Sequence, residues 1–304
     1  MLKKILITGV SGFIGQNFLE YIKKKNIFKI YAIYNSTKPH KKFKGIQYLN
    51  HNLTKKNFKK LPRNIDCIVH LAGKRDTFLK GVKAKKQLVS NDKICKNIID
   101  YSKIIGCKKI IFMSSVYIYS GLKVKKKHPV DIIKKKPIEN LGISKFNSEK
   151  LFIKFSNLHN NKVIILRLFT AYGKLSSSSQ FIPALIKKFK SKDNQLSFYS
   201  SKIKRDFIHI NDVCLAIYKS IQLILRMKIN CKIFDLGFGK SIDIMKIIIL
   251  ISKKIQHKKK LIFVSQKRKM KGDLNHYSNI KKTCKELNWK PKTKIITWIK
   301  DNIK

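Results

Sequence analysis

The sequence predicts an α/β fold in which a doubly wound parallel sheet is joined to a smaller C-terminal α/β part. In the first half of the chain, short apolar runs alternate with amphipathic stretches, which is the pattern of parallel strands connected by helices. The chain has 304 residues, of which 43% are apolar, so it is long enough to bury a large core. This composition also argues against intrinsic disorder.

Seven strands are predicted from apolar runs that are too short for buried helices. They cover residues 4–8, 30–34, 47–49, 67–71, 109–114, 163–168 and 232–236. Three helices are predicted between them, at residues 15–25, 91–105 and 144–157. The third helix keeps Phe146, Phe152 and Phe155 at helical spacing, so one of its faces is expected to be buried.

A serine-rich run at residues 175–180 separates the sheet from the later elements. We expect this run to form a loop that is exposed or covers a bound molecule. The sheet domain is predicted to span residues 1–170, with residues 206–238 returning to it. Residues 171–304 form most of the smaller part, which is expected to contain short helices and to pack over the carboxyl edge of the sheet.

The net charge of +53 suggests, by itself, a protein that binds polyanions. Only six of the 69 basic residues are arginine, however, and arginine is preferred for bidentate contacts to phosphates and bases. Lysine occurs in every segment beside abundant isoleucine and asparagine, and all three have AT-rich codons. We therefore attribute the charge to genome composition and expect no specific nucleic-acid partner. An RNA-associated role would require selective RNA binding that survives physiological salt.

The six cysteines are widely spaced and form no CxxC pair, so we expect neither a disulfide framework nor a metal site. Buried free thiols indicate a reducing compartment. No apolar run is long enough to span a membrane, and the chain opens almost directly into a strand, which leaves no room for a signal peptide. We expect a cytoplasmic protein without a membrane partner.

The run TGVSGFIG at residues 8–15 follows an apolar strand and opens a helix. Gly9 suits a tight turn, Gly12 lets the backbone approach a pyrophosphate, and Gly15 allows close packing of helix on strand. Phe13 and Ile14 supply helical N–H groups at the positive end of the helix dipole, where a pyrophosphate binds. Strand, spacing and helix together predict a Rossmann site for NAD or NADP.

The residues after the second predicted strand do not decide between NAD and NADP. An NAD site usually places an acidic residue about 20 residues after the glycine motif. This chain has Asn35, Ser36, Thr37 and Lys38 in that region. Asn35 and Ser36 can bind a ribose 2′-hydroxyl or a 2′-phosphate, and the charge of Lys38 suits NADP.

Four further motifs resemble extended short-chain dehydrogenase/reductases, specifically the NAD-dependent epimerase/dehydratase family that acts on nucleotide sugars. They are HLAG (residues 70–73), FMSSVYIY (112–119), RLFTAYG (167–173) and RDFIHINDV (205–213). The ending, from the GD pair at 272–273 to WKP at 289–291, also fits the family. The resemblance spans nearly the whole chain, with the motifs in the family's order.

The resemblance implies a nucleotide-sugar substrate, bound mainly by residues 171–304, and assigns roles to individual residues. The implied cofactor contacts beyond the glycine motif are Asn35, Asn52, Leu53, Leu71, Ala72 and Lys145. The implied substrate contacts are Ser115, Thr170 and Arg205, the last of these through the nucleotide diphosphate. The helices predicted at 91–105 and 144–157 resemble the pair through which the family forms dimers, so a homodimer is expected.

Leu141 occupies the position at which the family has a catalytic tyrosine, four residues before Lys145. In the family, this tyrosine takes a proton from a sugar hydroxyl, a serine or threonine binds the same oxygen, and hydride passes to the nicotinamide. Such general-base help typically contributes roughly 10²–10⁴-fold in rate. Ser115 and Lys145 are present here, whereas leucine has no proton to exchange.

Three explanations for Leu141 remain open at this point. Another group supplies the base, with Tyr117, Tyr119, His70 and Lys145 as candidates; or the chain binds a dinucleotide without turnover; or relaxed selection is eroding an enzyme. The leading hypothesis is an NAD(P)-dependent nucleotide-sugar epimerase, dehydratase or reductase in surface polysaccharide synthesis. The alternative is a catalytically impaired dinucleotide-binding sensor or scaffold.

The other polar residues of these motifs are expected to be structural. Asp206 and Asp212 are interpreted as structural or capping residues, and His209 as a packed side chain. Met270 stands near the position at which relatives often have a second phosphate-contacting arginine, which weakens the expected grip on a diphosphate.

Overall fold

The structure, a computed structural model, describes residues 1–74, 81–122, 135–158, 160–200, 203–257, 259–265 and 276–303, with backbone only at 199, 200 and 265. The strands are β1 (Lys3–Thr8), β2 (Phe28–Tyr34), β3 (Ile46–Asn50), β4 (Cys67–His70), β5 (Lys109–Ser115), β6 (Lys162–Leu168), β7 (Thr170–Tyr172), β8 (Gln195–Ser200), β9 (Lys204–His209), β10 (Cys231–Leu236), β11 (Ser241–Asp243) and β12 (Lys260–Ser265). The helices are α1 (Phe13–Lys23), α2 (Gly81–Ile104), α3 (Asn140–Ser156), α4 (Phe181–Phe189), α5 (Ile210–Arg226), α6 (Ile244–Ile255), α7 (Lys281–Leu287) and α8 (Ile295–Asn302). A single 3₁₀ turn, Val116–Tyr119, follows β5.

The central sheet has seven parallel strands in the order β10-β6-β5-β4-β1-β2-β3. The strand order reverses between β1 and β4, and in doubly wound sheets ligands bind at the carboxyl ends of the strands beside such a point. All seven predicted strands are confirmed to within two residues at either end. The predicted doubly wound α/β fold is therefore confirmed.

Helices cover both faces of this sheet, which explains why its strands are continuous apolar runs. On one face, α1 and α5 pack together, with Phe18, Ile217 and Ile221 in the same buried cluster. On the other face, α2 and α3 pack side by side, with Ile98 and Phe152 in a second buried cluster. The sheet is thus buried on both sides, and in doubly wound sheets a site between such layers lies at the carboxyl edge.

Two of the predicted helices begin four or more residues earlier in the structure than in the prediction. Helix α2 begins at Gly81 rather than at residue 91. The prediction missed its first turns because they are rich in lysine and lack a clear apolar period. Helix α3 begins at Asn140 rather than at Ser144. The residue before it, Glu139, makes no capping bond through its side chain, so the sequence carries no start signal there. The consequence is that Leu141 lies in the first turn of α3.

The smaller part contains the short helices expected there, together with strands that sequence patterns did not individually predict. Strands β11, β9 and β7 form a three-stranded sheet, and β12 pairs with β8. Helices α4, α6 and α8 enclose an apolar cluster that includes Ile182, Phe189, Ile247 and Ile299. The serine-rich run is an irregular loop in which residues 177–179 are exposed, as expected. Within the described ranges, no helix combines the length and apolar character needed to cross a membrane.

Candidate active site

The glycine motif forms a turn in which backbone atoms leave no room for side chains. Gly9 has a φ of 72°, and a Cβ placed on it would lie 2.6 Å from the Ala72 nitrogen. A Cβ on Gly15 would lie 2.3 Å from the carbonyl oxygen of Gly9. Gly12 is exposed and immediately precedes α1. The steric roles expected for Gly9 and Gly15 are thus present in the structure.

The amino terminus of α1 presents backbone donors and no acidic side chain in its first turn. The first N–H groups of a helix have no partner within the helix, and the helix dipole adds a positive potential at this end. Phe13 and Ile14, both half-buried, provide two of these groups. Gln16 already donates its N–H to the oxygen of Gly12, at 3.0 Å, which closes the first turn. The arrangement suits a pyrophosphate.

The loop after β2 lies directly against the glycine motif. Ser11 Oγ donates to the carbonyl oxygen of Thr37 at 2.5 Å, and the Gly9 N–H donates to Ile33 at 3.1 Å. Asn35 is exposed at the end of β2, where the expected ribose contact would be.

The residues after β3 lie at the same edge as this loop. The His51 N–H donates to Tyr34 O at 2.8 Å, which joins β3 to the end of β2. Asn52 Oδ1 accepts bonds from the N–H and the hydroxyl of Thr54, and the buried Leu53 is held through its carbonyl by Asn97 Nδ2. Three of the expected cofactor contacts, Asn35, Asn52 and Leu53, are thus gathered at one edge.

The end of β4 is tied to β1 through Thr8. The Thr8 hydroxyl lies 2.8 Å from His70 Nδ1 and accepts the N–H of Ala72 at 3.2 Å. Leu71 and Ala72 are half-buried beside the glycine turn. His70 is fully buried, and its burial, with the nearby Lys145 ammonium, lowers its pKa to about 3. His70 is therefore neutral at physiological pH and sealed from solvent, which argues against it as the proton acceptor.

Lys145 reaches from α3 to the carboxyl ends of β4 and β5. Its Nζ donates to the carbonyl oxygen of Met113 at 2.8 Å and lies 4.7 Å from the centre of the Phe112 ring. A Cβ placed on Gly73 would be 3.8 Å from this Nζ. The ammonium group is therefore beside the segment expected to lie along the cofactor, rather than on the outer face of the helix.

Asn91 is a site-organising residue that sequence reasoning missed. It lies on α2, and its side chain accepts the Lys74 N–H at 2.8 Å and donates to Lys74 O at 3.0 Å. It also donates to Ser144 Oγ on α3 at 3.1 Å. Asn91 therefore holds the backbone after β4 against both helices. A single buried asparagine inside a polar helix carries no signal in the sequence that would reveal this role.

Ser115, Tyr117 and the start of α3 meet at the end of β5. Ser115 caps the 3₁₀ turn, and its hydroxyl accepts the Tyr117 N–H at 3.4 Å. A Cβ placed on Gly142 would lie 2.2 Å from the Tyr117 carbonyl oxygen, so α3 packs directly on this turn. Leu141, next to that contact, is only 3% exposed. The position at which a tyrosine was expected therefore holds a buried apolar side chain.

A buried network of charges underlies this edge. Arg167 is fully buried and donates two hydrogen bonds to Glu149, at 3.0 and 2.8 Å, and one to the Tyr119 hydroxyl. The Tyr119 hydroxyl donates to Asp235 Oδ1 at 2.7 Å, and Ser114 Oγ donates to Glu149 at 2.6 Å. This network joins β5, β6, β10 and α3.

The network also decides what Tyr119 can do. Burial raises the pKa of the Tyr119 hydroxyl well above its ordinary value, and the Asp235 carboxyl raises it further. Its side chain is 1% exposed and is fastened to two charged partners. Tyr119 is therefore a structural residue and not a proton acceptor, which leaves Tyr117 and Lys145 among the four candidate groups.

The expected substrate contacts lie on two different sheets. Ser115 ends β5, whereas Thr170 begins β7 and Arg205 lies on β9 of the small sheet. Thr170 is in register with Phe207, two residues from Arg205. Both Thr170 and Arg205 are half-buried. The small sheet thus presents residues of the substrate set from the second part of the molecule.

The acids and the histidine of the RDFIHINDV motif have structural roles, as expected. Asp206 accepts the N–H groups of Phe238, Gly239 and Ser278 at 2.7–3.0 Å. Asp212 accepts the Thr293 N–H at 3.0 Å. His209 caps α5 by accepting the Asn211 N–H. Met270 and the GD pair at 272–273 lie outside the described residues, so their expected contribution stays a prediction.

A parallel sheet of this order, with a glycine turn at its strand-order reversal, defines a dinucleotide-binding protein of the Rossmann class. The chain belongs to the NAD dependent epimerase/dehydratase family, whose sequence profile matches residues 5–231. The family and the type of cofactor expected from the sequence are thereby confirmed, and the chain belongs to a family of NAD(P)-dependent enzymes that modify nucleotide sugars.

Curated relatives match over nearly the full length. UDP-glucuronate 4-epimerase of Thermodesulfobacterium geofontis is 26% identical, with 98% of this chain and 96% of the relative covered. dTDP-4-dehydro-6-deoxyglucose reductase of Escherichia coli is also 26% identical, with 94% and 92% covered. In fold, the chain is similar to the crystal structure of UDP-glucuronic acid 4-epimerase from Bacillus cereus in complex with UDP-glucuronic acid and NAD. The TM-score is 0.85 at 21% identity, with 98% and 96% covered.

Proposed function

We propose that the chain catalyses an NAD(P)-dependent epimerase, dehydratase or reductase reaction on a nucleotide sugar, by hydride transfer at a sugar carbon. The observation that carries this proposal is the meeting of the glycine turn, Lys145 and Ser115 at the carboxyl edge of β1, β4 and β5. Because the three come from separate parts of the sequence, their meeting at one edge favours a reaction site over isolated motif matches.

The residues at this edge fit a dinucleotide. The N–H groups of Phe13 and Ile14 would hold the pyrophosphate, with Gly9, Gly12 and Gly15 keeping the space clear. Asn35, Asn52 and Leu53 would contact the adenosine half, and Leu71, Ala72 and Lys145 the nicotinamide half. When bound, the dinucleotide supplies the hydride acceptor or donor. The protein's contribution is to orient it and to hold the sugar oxygen.

The proposed substrate contacts divide between orientation and proton transfer. Ser115 would hydrogen-bond the reacting sugar oxygen, and Thr170 and Arg205 would hold the rest of the nucleotide sugar, with Arg205 on a phosphate. Leu141 cannot move a proton, so proton transfer would fall to Tyr117 or Lys145. Tyr117 belongs to the turn on which the start of α3 packs, and Lys145 lies at the end of β5.

Purified protein incubated with UDP-, GDP- and dTDP-sugars, each with NAD and NADP in both redox forms, tests this function. We expect one substrate class to give a new nucleotide sugar or a change in nicotinamide absorbance. Products are separated by anion-exchange chromatography and assigned by proton NMR, because epimers have equal mass and epimerisation leaves the dinucleotide unchanged. Reductase action requires the keto forms of the sugars, which belong in the panel. Absence of product and of absorbance change across the whole panel would overturn the proposal.

A second candidate function is dinucleotide binding without turnover, as in a sensor or scaffold, and the burial of Leu141 favours it. It predicts that NAD(P)(H) raises the melting temperature while no nucleotide sugar is converted. Turnover above the rate of a Ser115→Ala control would exclude this candidate.

We further propose a cytoplasmic homodimer that serves surface polysaccharide synthesis. The six cysteines are all free, which is typical of a reducing compartment. Helices α2 and α3 pack side by side and expose Val89, Lys93, Lys96 and Lys150. A dimer through this lysine-bearing face should tighten as salt screens the charges, which sedimentation velocity at two salt concentrations would check. A salt-independent monomer would contradict it.

Unchanged surface polysaccharide after deletion of the gene would contradict the biosynthetic role.

A further inference from the structure

The segment that forms the adenosine-ribose end of the proposed dinucleotide site has no acidic residue. Between Glu20 and Asp66 the sequence contains thirteen lysines and arginines and not one aspartate or glutamate. In NAD sites, an acid after the second strand hydrogen-bonds the ribose 2′-hydroxyl, and its charge repels a 2′-phosphate. Here β2 ends at Tyr34 and is followed by Asn35, so this repulsion is missing.

A lysine ammonium group is held at the same edge by two aromatic rings. Lys42 Nζ lies 6.0 Å from the centre of the Tyr34 ring and 5.6 Å from that of Tyr48. The Tyr48 hydroxyl accepts the Phe43 N–H at 2.9 Å, which fixes that ring relative to the loop carrying Lys42. A cation–π contact of this kind contributes about 0.5–1 kcal/mol at an exposed site and so favours this position of the ammonium group. The charge of Lys42 is therefore positioned at the end of β2 rather than spread over the surface.

The loop between β2 and β3 is fastened at two points, one in the glycine motif and one in the first turn of α1. Ser11 donates to Thr37, and the His40 N–H donates to Gln16 Oε1 at 3.3 Å. Between these anchors, Lys38 is exposed, as are Asn35 and Ser36 just before Thr37. Amide, hydroxyl and ammonium donors are thus presented next to the turn expected to hold the pyrophosphate, as a 2′-phosphate would require.

We propose that Asn35, Ser36, Lys38 and Lys42 form a site for the 2′-phosphate of NADP(H), and that this chain prefers NADP(H) over NAD(H). The inference rests on the proposed dinucleotide site and concerns its selectivity. It sets the chain apart from structural neighbours described with NAD, such as the B. cereus epimerase. The proposal does not depend on the net charge, because it assigns selectivity to one end of one strand.

The test is isothermal titration calorimetry of the purified full chain with NADP+ and NAD+. We expect NADP+ to bind roughly tenfold more tightly, the size of one charge-assisted contact. The fragments 2′,5′-ADP and 3′,5′-ADP have the same charge and differ only in the position of one phosphate. Tighter binding of the 2′ isomer shows a built site, whereas equal binding shows general attraction to a lysine-rich surface and overturns the proposal.

Three variants sharpen the assignment. Lys42→Ala should weaken NADP+ binding by about fivefold and leave NAD+ binding nearly unchanged. Asn35→Asp should reverse the preference, because it restores the missing carboxylate. Lys29→Ala is the matched control, since Lys29 Nζ lies 5.7 Å from the Tyr31 ring in the same strand, away from its carboxyl end. It removes the same charge and should alter neither affinity.

The outcomes separate this inference from the proposed function. Binding of NAD+ that is equal to or tighter than that of NADP+ overturns the preference and leaves the dinucleotide site intact. Failure of both dinucleotides to bind overturns the site itself and the proposed function with it. An equal loss of NADP+ affinity in Lys42→Ala and Lys29→Ala would show that Lys42 has no special role.

Discussion

The carboxyl edge has a cofactor half, around the glycine turn and the end of β4, and a catalytic half, around the end of β5 and the start of α3. The two halves differ in the kind of atom that determines their shape. At the glycine turn, backbone meets backbone: a Cβ on Gly15 would come within 2.3 Å of a carbonyl oxygen. At the start of α3, where a proton-transfer group was expected, a single side chain determines the chemistry, and Leu141 is simply buried there. A substitution in the glycine turn therefore distorts the edge of the sheet, whereas the side chain at position 141 can be exchanged with little structural change. Binding and turnover are separable in such a site.

The largest effect is expected from Gly15→Ala in the glycine turn. The new methyl group would overlap Gly9 O and lie 2.7 Å from the Val10 Cα, neither of which can move without displacing β1 or α1. We expect a loss of about 3 kcal/mol or more in the free energy of unfolding and loss of dinucleotide binding. Urea unfolding and the cofactor-induced shift in melting temperature would measure both.

Gly12→Ala is the matched control for that variant. The nearest atom to its new methyl group is Gly9 O at 3.3 Å, and the residue is exposed. It should cost about 1 kcal/mol, the usual size of an N-cap change, and keep the fold. Dinucleotide binding does not discriminate here, because Gly12 also belongs to the proposed pyrophosphate site. Equal losses of unfolding free energy in the two alanine variants would break the claim that backbone spacing defines this half.

The second prediction tests the catalytic half through Leu141→Tyr. If the rest of the site is competent, the new hydroxyl should raise kcat by roughly 10²-fold, at the lower end of general-base effects. The dinucleotide Kd should stay unchanged. Steady-state kinetics on the substrate identified by the nucleotide-sugar panel, together with calorimetry, would check the two halves separately.

Leu141→Phe controls for the larger ring, because it adds the same bulk without a hydroxyl. It should show the stability change of the tyrosine variant and none of its gain in rate. In the wild-type background, Tyr117→Phe should lower kcat if Tyr117 carries the proton. A rate increase in Leu141→Phe equal to that in Leu141→Tyr would contradict a role for proton transfer.

The smallest effect is expected from pH, through His70 in the cofactor half. Its pKa is about 3 in the folded chain, because of burial and the Lys145 charge, against an ordinary value of 6.5. The unfolded chain therefore binds the extra proton first as pH falls. His70 contributes full stability above pH 6.5 and loses about 1.4 kcal/mol per pH unit below it.

His70→Gln removes this titration while keeping a polar group near Thr8. Between pH 6.5 and 5, the unfolding free energy of the variant should fall less steeply, by up to about 1.4 kcal/mol per pH unit, which is the contribution of one proton. Urea unfolding at four or five pH values would measure the two slopes. Parallel slopes would show that His70 is not held neutral in the folded chain.

Sequence patterns predicted the central sheet well because its signals are local. Strands buried on both faces are continuous apolar runs, and the glycine motif combines turn, spacing and helix within eight residues. The start of α3 was missed because Glu139 offers no capping bond. The small sheet was missed because its strands are short, and β7 and β11 have three residues each.

The edge at which the candidate residues lie could be predicted from the sequence, but the burial of each candidate side chain could not. Ser115, Lys145 and the glycine turn lie at the expected edge. Tyr119 and His70 were equally eligible as bases from the sequence, and only burial separates them from Tyr117. Burial depends on what packs from distant segments, and no local pattern reports it.

The sequence by itself determined the doubly wound sheet, the glycine turn and the presence of an apolar residue, Leu141, four positions before Lys145. These depend on residue type and on spacing within short stretches. Only the tertiary structure decided how the buried charges are paired and where Lys42 lies. Arg167 meets Glu149 eighteen positions earlier, and Tyr119 meets Asp235 across 116 positions. Such contacts arise when separate strands align at one edge, because the cost of burying a charge is met only by partners that folding brings together.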